Sequence, residues 1–366
     1  PPLQLDDEDV RVFVAATLLH DIGHYPFSHT LEELMPFFVL HEERARQIIL
    51  DQDRPIYHIL QDQFKVDPLR VANVIDYKNA QCSIPPEDLL LANILSGTLD
   101  PDKIDYLLRD SLYCGVPFGE SVNRDRLESS IKYDSERKRL AITSKGVDAV
   151  EALVFTNYLM YRNVYWHHGV RSASAMFKRA VQEILLHPEC QLDGNRFHML
   201  TESELIAQLK LEQQRLQLTG SAQLLEGTIY RRLYKVGAVI HPGERKRALM
   251  DYLYELFHNP TKRREKEIEL CHTFSRELGR PLSGHEILID IPGFNKSPEV
   301  DLKVFYGPEN PSDKADPLTF DNTDVTRLRD SLLDNFEDQA KIFRIFCIDD
   351  PQLRTLVRNE AKRYLN

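Results

Sequence analysis

The sequence predicts a mainly α protein, a helical body with a small α+β lobe at its C-terminal end. Three observations carry that prediction. Apolar residues recur at helical spacing from about residue 7 to residue 190. Residues 191–280 are more polar but rich in strong helix formers. From residue 284 onward, short runs of β-branched and aromatic residues take over. The domain organisation expected from these shifts is a body over residues 1–190, a helical extension over 191–280 and a lobe over 281–366.

Taken in order, Val10, Phe13, Val14, Thr17 and Leu18 keep helical spacing, and Ala15, Ala16 and Leu19 make the other faces apolar as well. That predicts a helix buried nearly all round. It delivers His20 and Asp21 at its C-terminal end, before Gly23 and Pro26 break it. In LDPDKIDYLLRD, residues 99–110, Asp100 suits an N-cap and Pro101 the first helical position. Asp102, Tyr106 and Asp110 then recur every four residues on one face, with Asp105 and Arg109 read as solvated. A proline-free pattern from Val147 to Leu186, weak only at Gly169, predicts one long helix with Arg162 among aromatics. ESELIAQLKLEQQRLQL and REKEIELCHTFSREL are further helices. EILIDI, VDLKVFY and KIFRIFCI read as strands; Val300, Leu302, Val304 and Tyr306 alternate with Asp301, Lys303 and Phe305. Thr323 is a cap for a helix to about Phe336, and Asp350-Pro351 marks a second helix start.

Composition narrows the class. Of 366 residues, 42% are hydrophobic and 28% charged, ordinary for a globular protein. The formal net charge of −11 does not favour nucleic acid, although YRRLYK, ERKR and KRREK are local basic runs, read as solvated faces. No apolar run approaches the ~20 residues of a membrane span. Five scattered cysteines (Cys82, Cys114, Cys190, Cys271, Cys347) lack zinc-ligand spacing and suit a reducing, cytoplasmic setting. The chain starts Pro1-Pro2 without methionine, so the true N-terminus is expected upstream.

The chemistry concentrates in HDIGHYPFSH, residues 20–29. A lone histidine is more often a satisfied core or surface group, but these come with partners. His20 and Asp21 offer an imidazole nitrogen and a carboxylate oxygen side by side, a mixture that suits Fe, Mn, Zn or Ni and tolerates Mg. His20 and His24 share a face if the helix persists. His29 precedes Glu32 by three residues, and Glu42 sits beside His41; a His–Glu pair at such spacing orients an imidazole and raises its basicity.

HDIGHYPFSH, then HEE at 41–43, then DPDKIDYLLRD together resemble the HD-domain phosphohydrolase superfamily, and within it the deoxynucleoside triphosphate triphosphohydrolases. The resemblance continues through IYRRLYKVG (229–237), the strand runs and KIFRIFCIDDPQLRTLVRN (341–359). It implies an HD-domain helical body with a small α+β C-terminal lobe and one divalent metal (Fe, Mn, Mg, Zn or Ni). It further implies a nucleoside triphosphate substrate split into nucleoside and inorganic triphosphate, and a homodimer or homotetramer with no membrane association.

Residue by residue, the resemblance makes His20, Asp21 and Asp102 metal ligands. His24, His29 and His41 line the substrate's phosphates, with Glu32 as an acidic partner. His29 is the expected acid for the leaving 5′-oxygen, supported by His41 with Glu32. Lys103 and Arg162 contact phosphates, Tyr106 and Asp110 lie near the sugar 3′-hydroxyl, and Arg231 and Lys235, four apart on an expected helix, hold an activating nucleotide between subunits. In these enzymes an upstream histidine in an Arg–x–x–His context completes the metal site. None of the 19 residues before His20 is histidine, so that ligand is expected in a segment upstream of Pro1. The alternatives are a nucleotide-sensing scaffold with a defective metal site, or another HD phosphohydrolase or nuclease. One departure stands out: where animal members carry a sugar-stacking tyrosine eight residues after the phosphate-binding arginine, this chain has Val170, followed by Arg171.

Overall fold

The computed structural model describes residues 5–34, 36–80, 84–134, 139–241, 247–293, 303–305, 318–319 and 341–364. The protein is mainly α, with small sheets, and divides into two compact units. The first comprises Pro1–His24, Leu40–Met160 and Ser297–Asp334; the second comprises Tyr25–Val39, Tyr161–Lys296 and Asn335–Asn366. Among the described residues no helix is long and apolar enough to cross a membrane.

The first unit is built on the helices Asp7–Leu19, His41–Leu50, Pro68–Ile75, Pro86–Ser96 and Pro101–Cys114. Three of them begin at a proline, whose missing N–H is one of the orphan donors of a helix start in any case. Asp67 and Asp100 cap two of these from their side chains. Asp6 and Asp9 form a reciprocal capping box at the start of Asp7–Leu19. That helix is not buried all round as its composition suggests. Val12, Ala15 and Ala16 are buried, whereas Val10, Val14 and Leu18 are 52%, 43% and 71% exposed. The two alanines face the core with Val71, Ala72 and Ile75, and their small side chains let the backbones approach closely. Arg70 ties the same region together electrostatically. Its Nε donates to Asp88 at 2.7 Å and its Nη1 to Glu8 at 3.1 Å, while Nη2 pairs with Asp9. Burial pushes the Asp9 carboxyl up, but Arg70 and the Asp6 backbone N–H together hold it below its ordinary value.

A four-stranded sheet lies in this unit, inside the stretch expected to be helical. Ile131–Asp134 and Arg139–Thr143 pair antiparallel; Arg139–Thr143 pairs parallel with Lys303–Phe305, which pairs antiparallel with Leu318–Thr319. The signal for it is the short run LAIT, whose Ala141 and Ile142 are fully buried. The part of VDLKVFY that is described therefore belongs to this sheet and not to the C-terminal lobe. The expected helix from Thr323 to Phe336 lies outside the described residues.

The second unit holds a three-stranded antiparallel sheet in the order Lys235–Ile240, Phe343–Cys347, Ile287–Asp290. EILIDI and KIFRIFCI thus form strands, and every residue of Ile287–Asp290 and Phe343–Cys347 is buried. Strand Lys235–Ile240 comes from the stretch expected to be a helical extension; KVGAVI is short and β-branched enough to have been read as a strand. Helix Pro351–Tyr364 follows Asp350, whose carboxylate accepts from Leu353 N–H at 2.8 Å. The pattern expected as one helix from Val147 to Leu186 breaks. Val147–Met160 ends the first unit's share, Tyr161–Tyr165 is a π-helical turn, and His168–Leu185 restarts behind an N-cap at His167. A cluster of aromatics, with Tyr161 and Trp166 ring centroids 4.8 Å apart, occupies the break.

Candidate active site

In the first unit the helix Asp7–Leu19 ends with His20 as its C-cap. The helix does not persist; Ile22 N–H donates to Leu19 O at 3.0 Å and His24 N–H to Asp21 O at 3.1 Å, so residues 20–24 form successive turns. This replaces the expected shared helical face of His20 and His24 with a tighter arrangement around Asp21. His20 Nδ1 lies 2.8 Å from Thr17 O. A carbonyl accepts only from N–H, so Nδ1 carries a proton, and Nε2 is the nitrogen left to face the carboxylates. Nε2 stands 3.3 Å from Asp21 Oδ1 and 3.7 Å from Asp102 Oδ2. His24 Nε2 is also 3.3 Å from Asp21 Oδ1. The facing Asp102 carboxylate is the main reason that the His20 pKa is raised to about 9, against burial, which pushes it down. His24 in turn holds Asp21 below the usual carboxylate range. Two carboxylates thus converge on one position for positive charge.

Asp102 reaches this place because Asp100 starts its helix, accepting from Asp102 N–H at 2.9 Å. Burial lifts Asp100 itself to about 6. On the helix Pro101–Cys114, Asp102, Lys103, Tyr106 and Asp110 are half-buried, whereas Asp105 and Arg109 are exposed and pair with each other at 3.4 Å. Lys103 Nζ donates to Gly97 O at 2.8 Å.

His41, the first residue of His41–Leu50, stacks on His24 with ring centroids 4.0 Å apart and planes 19° from parallel. The glycine of the HDxGH string makes this possible. A Cβ on Gly23 would lie 2.0 Å from His41 O and 2.5 Å from Ala45 N, both backbone atoms. Gly23→Ala is therefore expected to push the helix His41–Leu50 away and to lower stability by about 1–3 kcal/mol. The denaturant midpoint reads this directly; an unchanged midpoint sinks the close-approach argument.

The second unit carries His29 and Glu32 on one turn of helix, His29–Glu32, with His29 Nδ1 2.8 Å from Glu32 Oε2. His29 is 54% exposed at its side chain and Glu32 7%. The preceding PFS of the motif has a backbone reason: Phe27 and Ser28 have φ of 64° and 41°, and the Phe27 ring packs on Phe177 at 4.5 Å. Arg162 sits exposed in the π-helical turn Tyr161–Tyr165, not in mid-helix as expected. Arg231 and Lys235 do not share a helix. The helix Thr219–Ile229 ends before them, Arg231 has φ 56°, and Lys235 opens a strand. The left-handed residue turns the chain from helix into sheet, which removes the four-residue spacing as an argument. Both side chains are exposed, and Lys235 lies 3.8 Å from Asp349.

Within the first unit, then, the structure brings His20, Asp21, His24, His41 and Asp102 together; His29 and Glu32 form a pair in the second. Sequence reasoning missed Arg171. Next to Val170, Arg171 turns inward to an ion network with Glu33, Lys178 and Asp290. A charged residue at a core-facing helical position is the signal that was there to read.

An anchored imidazole with its second nitrogen facing two carboxylates offers a donor set for a divalent metal. The donor set of one nitrogen and carboxylate oxygens fits a borderline or hard divalent cation. Residues 3–109 match the HD domain and residues 122–310, half of the chain, match the HD associated region. The chain belongs to the HD-domain phosphohydrolase superfamily, in the branch that carries this associated region, and HD domains bind divalent metals. It is similar to the uncharacterized protein YwfO of Bacillus subtilis, 34% identical over 51% of this chain and 39% of that protein. It is also similar to the uncharacterized protein MJ1154 of Methanocaldococcus jannaschii, 36% identical over 47% of this chain and 34% of that one. The matched stretch thus spans well under half the length of these relatives. A deoxynucleoside triphosphate triphosphohydrolase SAMHD1 homolog of Dictyostelium discoideum is 26% identical over 64% of this chain and 46% of its own length. In fold, the chain is similar to a phosphohydrolase of Bacteroides thetaiotaomicron, with TM-score 0.62 and 22% identity over 95% of this chain and 82% of that one.

Proposed function

We propose that this protein is a metal-dependent triphosphohydrolase that splits a nucleoside or deoxynucleoside triphosphate into nucleoside and inorganic triphosphate. The observation that carries the reading is the convergence of His20 Nε2, Asp21 and Asp102 next to Lys103. The similarity to a relative named as a deoxynucleoside triphosphate triphosphohydrolase supports the substrate class. His20, Asp21 and Asp102 are the residues that would hold the metal. A divalent cation held there would supply Lewis-acid chemistry, polarising a phosphoryl oxygen and making water a stronger acid. Lys103 and Arg162 offset charge that builds on the phosphoryl oxygens as water oxygen bonds to the α-phosphorus and the bond to the 5′-oxygen breaks. His29, its Nδ1–H donated to Glu32, gives the proton on Nε2 to the leaving 5′-oxygen, which departs as a neutral alcohol. His24 and His41, stacked on each other, line the phosphates; Tyr106 and Asp110 meet the sugar. Exposed Arg231 and Lys235 take an activating nucleotide in a homo-oligomer.

The test is to incubate the purified protein with each ribo- and deoxynucleoside triphosphate and a divalent metal, and to resolve the products by anion exchange. Nucleoside and inorganic triphosphate in equal amounts are expected; release of monophosphate or diphosphate nucleotides rejects the reading. Removing one charge-assisted contact to a reacting phosphate costs about 2–4 kcal/mol of transition-state stabilisation. Lys103→Ala and Arg162→Ala are each expected to lower kcat/KM by roughly 30- to 1000-fold while far-ultraviolet circular dichroism stays unchanged. A folded variant with a near-normal rate removes that residue from the site.

A further inference from the structure

The helix that carries His29 and Glu32 is a single turn. One turn does not hold itself in water, because it fixes several dihedrals for one hydrogen bond. It is entered through Phe27 and Ser28, both at positive φ, where a residue with a side chain is strained. Something outside the turn must hold it. The next residue does: Glu33 N–H donates to His29 O at 3.2 Å, closing the turn. Its carboxylate is gripped from the long helix His168–Leu185. Arg171 Nη1 and Nη2 donate to its two oxygens at 3.0 and 3.2 Å, and Lys178 Nζ pairs with Oε2. Arg171 is itself fixed on its other edge by Asp290, at 2.9 and 2.6 Å, so its guanidinium has one edge left for one carboxylate.

We propose that Glu33 is a positioning residue for the hydrolysis, a role that rests on the assignment of His29 as the proton donor. Glu32 and Glu33 are consecutive, so on a helical turn their side chains point about 100° apart. A slip of the turn by one residue offers Glu32 to Arg171 and Lys178 and takes it from His29. The buried grip on Glu33 forbids that slip: it selects the rotation in which Glu32 faces His29 Nδ1. The network is thus the register pin of the His29–Glu32 pair, and Arg171 acts on His29 through it.

The test uses Glu33→Gln, which keeps shape but gives up the charge, and Arg171→Lys, which keeps charge but gives up the fork. Nitrogen-15 spectra of the His29 ring report the Nδ1–H bond to Glu32 directly. Glu33→Gln is expected to shift that signal and to lower kcat by about 10-fold or more with little change in KM. Arg171→Lys falls between it and wild type. Paired with His29→Ala, Glu33→Gln adds no further loss, because a residue acting through His29 has nothing left to act on. A purely structural Glu33 lowers the unfolding midpoint, leaves kcat of the folded fraction intact and multiplies with His29→Ala; that result, or an unshifted His29 signal in Glu33→Gln, overturns the proposal. If wild type splits no nucleoside triphosphate, the functional reading fails on its own, and the His29 spectrum still decides the positioning.

Discussion

Replacing His20 and Asp21 together by alanine is expected to empty the metal site and to lower turnover by at least about a thousandfold, since without the cation neither water nor phosphoryl oxygen is activated. His20 supplies an imidazole donor that faces both carboxylates, and its Nδ1 bond to Thr17 O fixes the ring in that orientation. Elemental analysis of the wild-type protein should find about one divalent metal per chain, lost in the double variant and lost on dialysis against a chelator. Asp102→Asn, which keeps shape and removes charge, should weaken metal binding without unfolding the chain. Full metal and full activity in the double variant remove these residues from the site.

The second large effect is on stability. Arg171→Met is expected to destabilise the protein by about 3–5 kcal/mol, because it strands the buried carboxylate of Asp290 and the part-buried one of Glu33 without their main cation. Urea unfolding measures this. The loss should depend on pH in a definite direction. Burial alone raises the Glu33 carboxyl, but Arg171 and Lys178 overcome it and hold Glu33 well below its ordinary value of 4.5. A carboxyl depressed in the folded state contributes stability that is complete above its unfolded value and is lost as pH falls below it. The difference between wild type and Arg171→Met should therefore be largest near neutrality and shrink as pH drops below about 4.5. A difference that grows on acidification contradicts the network as described.

Much of this protein was legible in its sequence. Helix starts at Asp100 and Asp350 are local events: a short acidic side chain reaches an N–H two or three residues on, and nothing distant is needed. The strands EILIDI and KIFRIFCI announced themselves for the same reason, since runs of β-branched and aromatic residues fit no other buried element of that length. The HD pair and the Asp102 helix were readable because a metal demands particular donor types, and few arrangements of chain supply them. Other features were decided only in three dimensions. Period and composition do not say which apolar face meets a neighbour, so Val10, Val14 and Leu18 were wrongly placed inside, while the small Ala15 and Ala16 took the core. The hairpin at Ile131–Thr143 is stabilised by pairing with Lys303–Phe305, some 160 residues away. Gly23 is needed for the backbone of a different helix, and Arg231 turns left-handed where helix must become strand. The ion network of Glu33, Arg171, Lys178 and Asp290 joins three separate stretches of chain, and a carboxylate and a guanidinium carry no mark in sequence of the partner they will meet once water is excluded. Local bonding is written in neighbouring residues; burial and long-range charge pairing exist only after the chain has closed on itself.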